Sequence, residues 1–293
     1  MKTVTIIGVG NAGGALAIGL SGAGYKVEKL VHRSSVIARK LKRDAIPHAE
    51  LGRWPRVGAI SSRLVVIAVP DPEIERVAIQ IGPSLGKGQV VLHTSGSLTS
   101  DVLSDLTRNG CDTGSVHPLV SISEPIRGAA QLAGAYFCIE GTQKAVSEAR
   151  RMVNALRGNP FTIDPSKKAL YHAAAVTAAG HVTALFDSAV EMLSKCGLSR
   201  QRSAQILFPL TSSAVRNLER QNPEEALTGS FARLDIDAFE RHLASFEAIS
   251  PTLRQIYLDL ADRSLDIVER RDGPSDDLRR FRNRISMAKR NSK

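Results

Sequence analysis

The sequence predicts an α/β chain, with a doubly wound parallel sheet in the first half and an all-α domain in the second. Three observations carry this reading. Residues 1–14 read as strand, glycine turn and helix start. Strand and helix patterns then alternate to residue 163, and the strands are apolar enough to be buried on both faces. After Asp164-Pro165 the alternation stops and only helical spacing remains.

Taken in order, Val4-Thr5-Ile6-Ile7 is a β-branched run, and Gly8-Val9-Gly10-Asn11-Ala12-Gly13-Gly14 follows it. The spacing Gly8-x-Gly10-x-x-Gly13 is that of a dinucleotide loop. Gly8 permits the tight turn, Gly10 lets a pyrophosphate approach the backbone, and Gly13 brings the helix close to the strand. Asn11 and Ala12 open that helix, whose free N–H groups and positive dipole end suit an anion. An isolated match of this kind is often a glycine turn that merely packs. Here it follows a strand and opens a helix, the context a nucleotide site needs.

Residues 25–31 read as the second strand, and His32-Arg33-Ser34 ends it. An NAD site places a carboxylate at this point to hold the ribose. This chain has none there, and Glu28 lies too early, inside the strand. Arg33 presents a planar charged fork and Ser34 a hydroxyl, which together suit a 2′-phosphate. The expected cofactor is therefore NADP; the competing reading makes Arg33 a solvated loop charge.

Residues 64–69 form a continuous apolar strand that ends at Pro70-Asp71-Pro72. Residues 89–92 form the next, ending at His93-Thr94-Ser95-Gly96-Ser97, and 113–116 precede His117-Pro118. Segments 135–139 and 161–163 look like late strands flanking a helix over 144–156. Ligands of such sheets bind beyond the carboxyl ends of the strands. Val69, Pro70, Asp71 and Thr94 are accordingly expected beside the nicotinamide. From 167 to 195 the chain has no Pro and one Gly, and predicts a single rod of about 43 Å. Further helices are expected over 199–220, 223–227, 235–246 and 251–270, with Ser250 capping the last. The domains read as 1–165 for the dinucleotide, 166–272 for substrate and dimerisation, and 273–293 as a basic, flexible tail.

Composition narrows the classes. Lys and Arg number 39 against 29 Asp and Glu, a net charge of +10. Much of the excess sits in 270–271 and 279–290, where Phe281 is the only aromatic, so a solvated terminus is expected rather than a nucleic-acid surface. Cys111, Cys138 and Cys196 are far apart and show no metal spacing, which fits a reducing cytoplasm. No unbroken apolar run approaches the roughly 20 residues of a membrane span, and the chain opens directly on its first strand, so neither a membrane nor a leader is expected.

Two groups are candidates for chemistry. Ser95 and His117 lie at strand ends, where a His with a neighbouring hydroxyl can exchange a proton with a carbonyl or alcohol while hydride moves. The competing reading of His117 is a structural histidine in a His-Pro turn, and His93, nearer the strand interior, is read as structural. Lys168 and His172 are four residues apart, on one helix face, with Tyr171 beside them. They suit an anionic substrate or proton donation; alternatively Lys168 is solvated and His172 packs. His181 falls on a different side of the rod. The loop 227–235 carries Arg233, which suits a substrate carboxylate or simply joins two helices. Nothing in the sequence suggests a metal site.

Taken together, Gly8 to Gly14, Ala68-Val69-Pro70-Asp71, His93-Thr94-Ser95-Gly96, Val116-His117-Pro118-Leu119, Lys168-Ala169-Leu170-Tyr171-His172-Ala173-Ala174-Ala175 and Leu227-Thr228-Gly229 resemble a bacterial family. Its members join a Rossmann-like domain to a C-terminal helical domain of unknown function. They are related to pyrroline-5-carboxylate reductase and to the 6-phosphogluconate and β-hydroxyacid dehydrogenase-like superfamily. The resemblance spans about residues 1 to 270 and implies a Rossmann fold, a nicotinamide cofactor and a homodimer formed through the helical domain. Lys168 and His172 are similar in placement to the Lys-x-x-x-Asn pair of β-hydroxyacid dehydrogenases, where the Lys is catalytic; His stands here in place of Asn. Ser95 and His117-Pro118 are similar in placement to the Ser and His-Pro loops of prephenate dehydrogenases, though Leu119-Val120-Ser121 replaces the usual continuation. The expected function is an NADP-dependent oxidoreductase acting on a small, anionic carbonyl, imine or alcohol. The alternatives are a non-catalytic NADP(H) sensor or scaffold and a deazaflavin-linked NADP reductase.

Overall fold

In the computed structural model, which describes residues 2–246 and 249–290, eight strands form one sheet. They are β1 (Thr3–Ile7), β2 (Lys26–His32), β3 (Glu50–Arg53), β4 (Leu64–Ile67), β5 (Val90–His93), β6 (Asp112–Leu119), β7 (Tyr136–Gly141) and β8 (Asn159–Phe161). Their order is β3-β2-β1-β4-β5-β6-β7-β8. Every pairing is parallel except β6 with β7. Successive strands step one way from β1 and then the other, so the order reverses between β1 and β4 and a crevice opens above Gly8.

The helices α1 (Asn11–Gly22), α2 (Ser35–Asp44), α3 (Asp71–Ile81), α4 (Ser104–Arg108), α5 (Pro125–Gln131) and α6 (Gln143–Ala155) connect these strands. Strand alternation sorts the core into two layers. Val4 and Ile6 pack with Leu16, Leu20, Ala149 and Met152. Ile7 packs on the other face with Ile67, Ile74, Val77 and Leu103.

Two features of the sheet differ from expectation. β6 runs on through His117 and Pro118 instead of ending at Val116, because β7 pairs with it antiparallel, His117 opposite Cys138 and Pro118 opposite Phe137. β5 pairs only with Asp112 to Ser115, so the missing N–H of Pro118 interrupts no second ladder. β3 was not foreseen; it is a short polar edge strand with almost no apolar signal.

The rod expected over 167–195 is two helices, α7 (Lys168–Ala178) and α8 (Gly180–Ser194). Ala179 between them leaves helical geometry at φ −122° and ψ −67°, and the Gly that follows is costly inside a helix. The chain divides into units 1–180 and 181–293, so the boundary falls at this break and not at 165. α7 belongs to the first unit because its side chains are tied to the sheet. The stretch Pro165–Ser194 is long and apolar enough to cross a membrane by length and composition, although its helix is interrupted at Ala179.

The second unit continues with α9 (Arg200–Leu218), α10 (Pro223–Ala226), α11 (Ile236–Ser245), α12 (Pro251–Asp272) and α13 (Asp276–Arg290). Ser250 occupies the cap position of α12, but its side chain makes no capping hydrogen bond. The segment 273–293, expected as a flexible tail, is mostly α13; residues 291–293 lie outside the described ones. Gly273, at φ +80°, turns the chain after α12. Leu278, Phe281, Ile285 and Ala288 recur at helical spacing and are buried with Phe239, Leu258 and Leu265. Its charges are also engaged. Arg282 bridges Asp266 at 2.9 Å and Glu269 at 2.7 Å, and Lys289 bridges Asp259 at 2.9 Å and Asp262 at 3.0 Å. Arg282 and Lys289 thus pair with the acids of α12, while Arg284 pairs with Glu240 of α11 and Arg279 and Arg280 with Asp276 and Asp277 of α13 itself. Phe281→Ala is expected to cost about 3–5 kcal/mol in chemical denaturation; an unchanged unfolding curve would mean that this segment does not pack.

Candidate active site

The carboxyl end of β1 builds the first half of the site. Gly8 turns at φ +95°, and a Cβ there would strike the Ala68 carbonyl. A Cβ on Gly13 would collide with the Gly8 carbonyl oxygen, so α1 can sit this close only with glycine at that point. Gly10 is different. The place a Cβ would take has no atom within 4 Å, which leaves its backbone open toward the cavity. No side chain caps α1, so its first-turn N–H groups are available to an anion.

A cavity of about 230 Å³ extends from this loop. Gly8 and Gly10 form one wall, His32, Arg33 and Ser34 another, and Val69 and Pro70 a third. Ile37, Trp54 and Val77, none foreseen, add an apolar lining of the kind a flat heterocycle needs. These surroundings fit a dinucleotide. Arg33 does not stand free, however. Its guanidinium and that of Arg76 both donate to Glu73 Oε2, and Glu73 also lines the cavity. Arg76 first, then Arg33, hold the Glu73 carboxyl below its usual range. Asn11 is not among the residues lining this cavity; its amide donates to the carbonyls of Ile122 at 3.3 Å and Ser123 at 3.0 Å.

The second half centres on His117. A small cavity bounded by Asn11, Ala12 and Thr94 meets it on one side, and a larger cleft along α7 meets it on the other. His117 Nδ1 and the Tyr171 hydroxyl share a 2.7 Å hydrogen bond. The His172 ring stands edge-on to His117, with centroids 5.6 Å apart. A Cβ on Gly96 would run into both imidazoles, so the glycine makes room for the pair. Burial, with help from the nearby His172 and Lys168, pulls His117 down to about 4, so the ring is neutral at pH 7. Burial raises the Tyr171 phenol above its ordinary value.

Other expected residues have different surroundings. Ser95 is buried and donates to Asp71 Oδ2 at 2.7 Å, while accepting from the N–H groups of Ser97 and Leu98 at 3.1 and 3.0 Å. Ser97 also donates to Asp71 Oδ2 at 2.7 Å. Ser95 therefore anchors Asp71 and its own turn, and its hydroxyl is already engaged. His93 accepts from the Ser95 N–H at 3.2 Å and meets the Thr99 carbonyl at 3.1 Å, so Nε2 carries its proton. Burial pulls it down to about 4 as well.

Lys168 departs most from expectation. It is 0% exposed and lines neither cavity. Its ammonium donates to Ser115 Oγ and, at 2.9 Å, to Glu140 Oε1. Glu140 also accepts from the Ser100 N–H at 3.0 Å and the Ser100 hydroxyl at 2.8 Å. Burial opposes its charge, but Ser115, the Lys168 charge and the other donors outweigh that, and the carboxyl stays ionised below its ordinary range. The lysine expected to face substrate is a buried tie between α7 and the sheet. His181 and Arg233 lie in the second unit, both exposed. Among the described residues, no three His, Cys, Asp or Glu side chains group as a metal site.

Comparison with known proteins agrees with this architecture. The Rossmann-like domain family matches residues 1–118, and the domain of unknown function DUF2520 matches residues 135–264. The two matches follow one another along the chain, a Rossmann-like model and then a DUF2520 model. A search of curated proteins finds no match. Among solved structures, a candidate NADP oxidoreductase of Bacteroides fragilis aligns with a TM-score of 0.74 at 20% identity, over 92% of this chain and 98% of that one. A Thermotoga maritima protein aligns at 0.70 and 22%, over 91% and 98%. A pyrroline-5-carboxylate reductase of Coxiella burnetii aligns at 0.59 and 13%, over 97% of each chain.

The two depressed histidines of this Rossmann-like domain have a consequence for stability. Unfolded, each takes up its proton near 6.5; folded, near 4. The unfolded state binds more protons between those values. Stability is therefore intact above pH 6.5 and is lost as pH falls toward 4, by up to about 3 kcal/mol per histidine. Urea denaturation across that range checks this, and His93→Gln should flatten the slope by its own share.

Proposed function

We propose that the chain is an NADP(H)-dependent oxidoreductase that moves hydride to or from a carbonyl, imine or alcohol carbon. The observation that supports this most is the position of His117, a neutral imidazole lining both the small cavity beside Asn11 and Ala12 at the start of α1 and the cleft along α7. When bound, the nicotinamide supplies or accepts the hydride. The residues do the rest. Gly8, Gly10 and the α1 N-terminus hold the pyrophosphate. Arg33 takes the 2′-phosphate, exchanging Glu73 for it. Val69 and Pro70 bound the nicotinamide end.

With Tyr171 donating to His117 Nδ1, the ring proton sits on Nε2, which faces Gly96 and His172. From there Nε2–H donates its proton to the substrate heteroatom as charge develops on it, Nδ1 takes the Tyr171 proton in return, and water entering the open cleft restores the phenol. His172, on the cleft wall, is the second substrate-facing group. Lys168, Glu140 and Ser115 position α7 without touching substrate.

The chain is further proposed to work in the cytoplasm as a homodimer built through the second unit. Its three cysteines are unpaired, which suits a reducing compartment. Val182 and Leu185 on α8, and Phe208, Leu210, Val215 and Leu218 on α9, are exposed apolar residues that a second copy would cover.

Titration of NADPH and NADH by fluorescence tests the cofactor reading. NADPH should bind more tightly, and Arg33→Ala should weaken NADPH by about tenfold or more while leaving NADH nearly unchanged. Equal affinities in the wild type would remove the NADP assignment. His117→Asn should lower turnover by about 10²–10⁴ with NADPH affinity intact; parallel loss of both would place His117 in cofactor binding.

A further inference from the structure

The cleft along α7 has a composition that selects its occupant. Its volume is about 630 Å³, and none of the thirteen residues lining it is Lys, Arg, Asp or Glu. The polar groups are Ser121, Tyr171, His117 and His172. The rest is hydrocarbon from Pro118, Leu119, Val120 and the Ala and Val residues of α7. The nearest lysine on α7, Lys168, is sealed from solvent and spends its charge on Glu140. Asp71, held by Ser95 and Ser97, is close enough for its charge to act on His117. The fixed charges around the imidazoles therefore sum to neutral or negative, and among the described residues that line the cleft none is a permanent cation.

A carboxylate entering such a place gives up hydration and meets no ionic partner. A neutral carbonyl or imine on an apolar frame loses far less. Its hydrocarbon covers Leu119, Val120 and Val176, and its one polar atom reaches a ring N–H. We propose that the substrate is an uncharged carbonyl or imine on an apolar body, with no carboxylate. This narrows the expectation of an anionic substrate, and it rests on reading the cleft as the substrate side of a reductase.

The test uses the full chain with saturating NADPH and two probes built on the same ring ketone, cyclohexanone and its charged derivative 4-oxocyclohexane-1-carboxylate. The readout is the saturable shift of the His117 and His172 ring resonances in nitrogen-edited NMR. Cyclohexanone should shift both, with the carboxylate binding at least about tenfold more weakly. Ala175→Lys, which adds a cation to the cleft wall, should reverse that preference. A carboxylate that binds the wild type as well as the ketone overturns the proposal, and so does the absence of any shift from either probe. Should Ala175→Lys not fold, the wild-type pair still decides. The titration is repeated without NADPH, so that loss of NADPH binding alone overturns the oxidoreductase reading, whereas loss of the ketone shifts in both series overturns this proposal.

Discussion

Lys168 carries its ammonium to a point with no solvent contact, and the geometry of the site follows from what it meets there. A buried cation is tolerated only when opposite charge and hydrogen bonds surround it. Glu140 on β7 supplies the charge, Ser115 on β6 an acceptor, and Ser100 two further donors to the carboxylate. A helix pinned at its first residue has little freedom one turn later, where Tyr171 and His172 stand. Ser115 and His117 lie two apart on the same strand, so both point to one face. Lys168 with Ser115 and Tyr171 with His117 are then two rungs of one ladder between α7 and β6. Losing the lower rung would leave a charge unpaired in the interior and free the helix that holds the imidazoles.

The other half of the site rests on sterics. Gly8 and Gly13 bring β1, β4 and α1 into contacts that a methyl group would prevent, while Gly10 leaves its side of the loop empty. The same device recurs at Gly96, where absence of a side chain admits two imidazoles. The close packing at the glycine loop and the room for the imidazole pair both come from missing atoms.

Legibility in the sequence followed the range of the forces involved. The glycine loop could be read because turn geometry and close approach are local. The helices of the second unit could be read because Leu, Phe and Ile recur at helical spacing. The same spacing in Leu278, Phe281, Ile285 and Ala288 was available too, but the surrounding arginines drew the reading toward a solvated tail. Lys168 was placed on the correct helix, yet its burial depends on Glu140, 28 residues earlier on an antiparallel strand, and no local pattern announces that pair. Ser95 follows β5, as the strand pattern places it, but its hydroxyl serves Asp71, 24 residues away. β3 is a polar edge strand, held by its neighbour more than by its composition.

On the proposed function, the carboxylate of Glu73, shared between Arg33 and Arg76, gives nucleotide selection the form of an exchange reaction. A 2′-phosphate that takes Arg33 displaces an internal anion, which keeps Arg76 as its counter-ion. The gain is then the difference between two ion pairs and not the whole of one. Salt screens the pair that is broken as well as the pair that is made. Discrimination between the two nicotinamide dinucleotides at this site should consequently depend less on ionic strength than it would with an unpaired arginine, and one residue on α3, outside the glycine loop, sets its size.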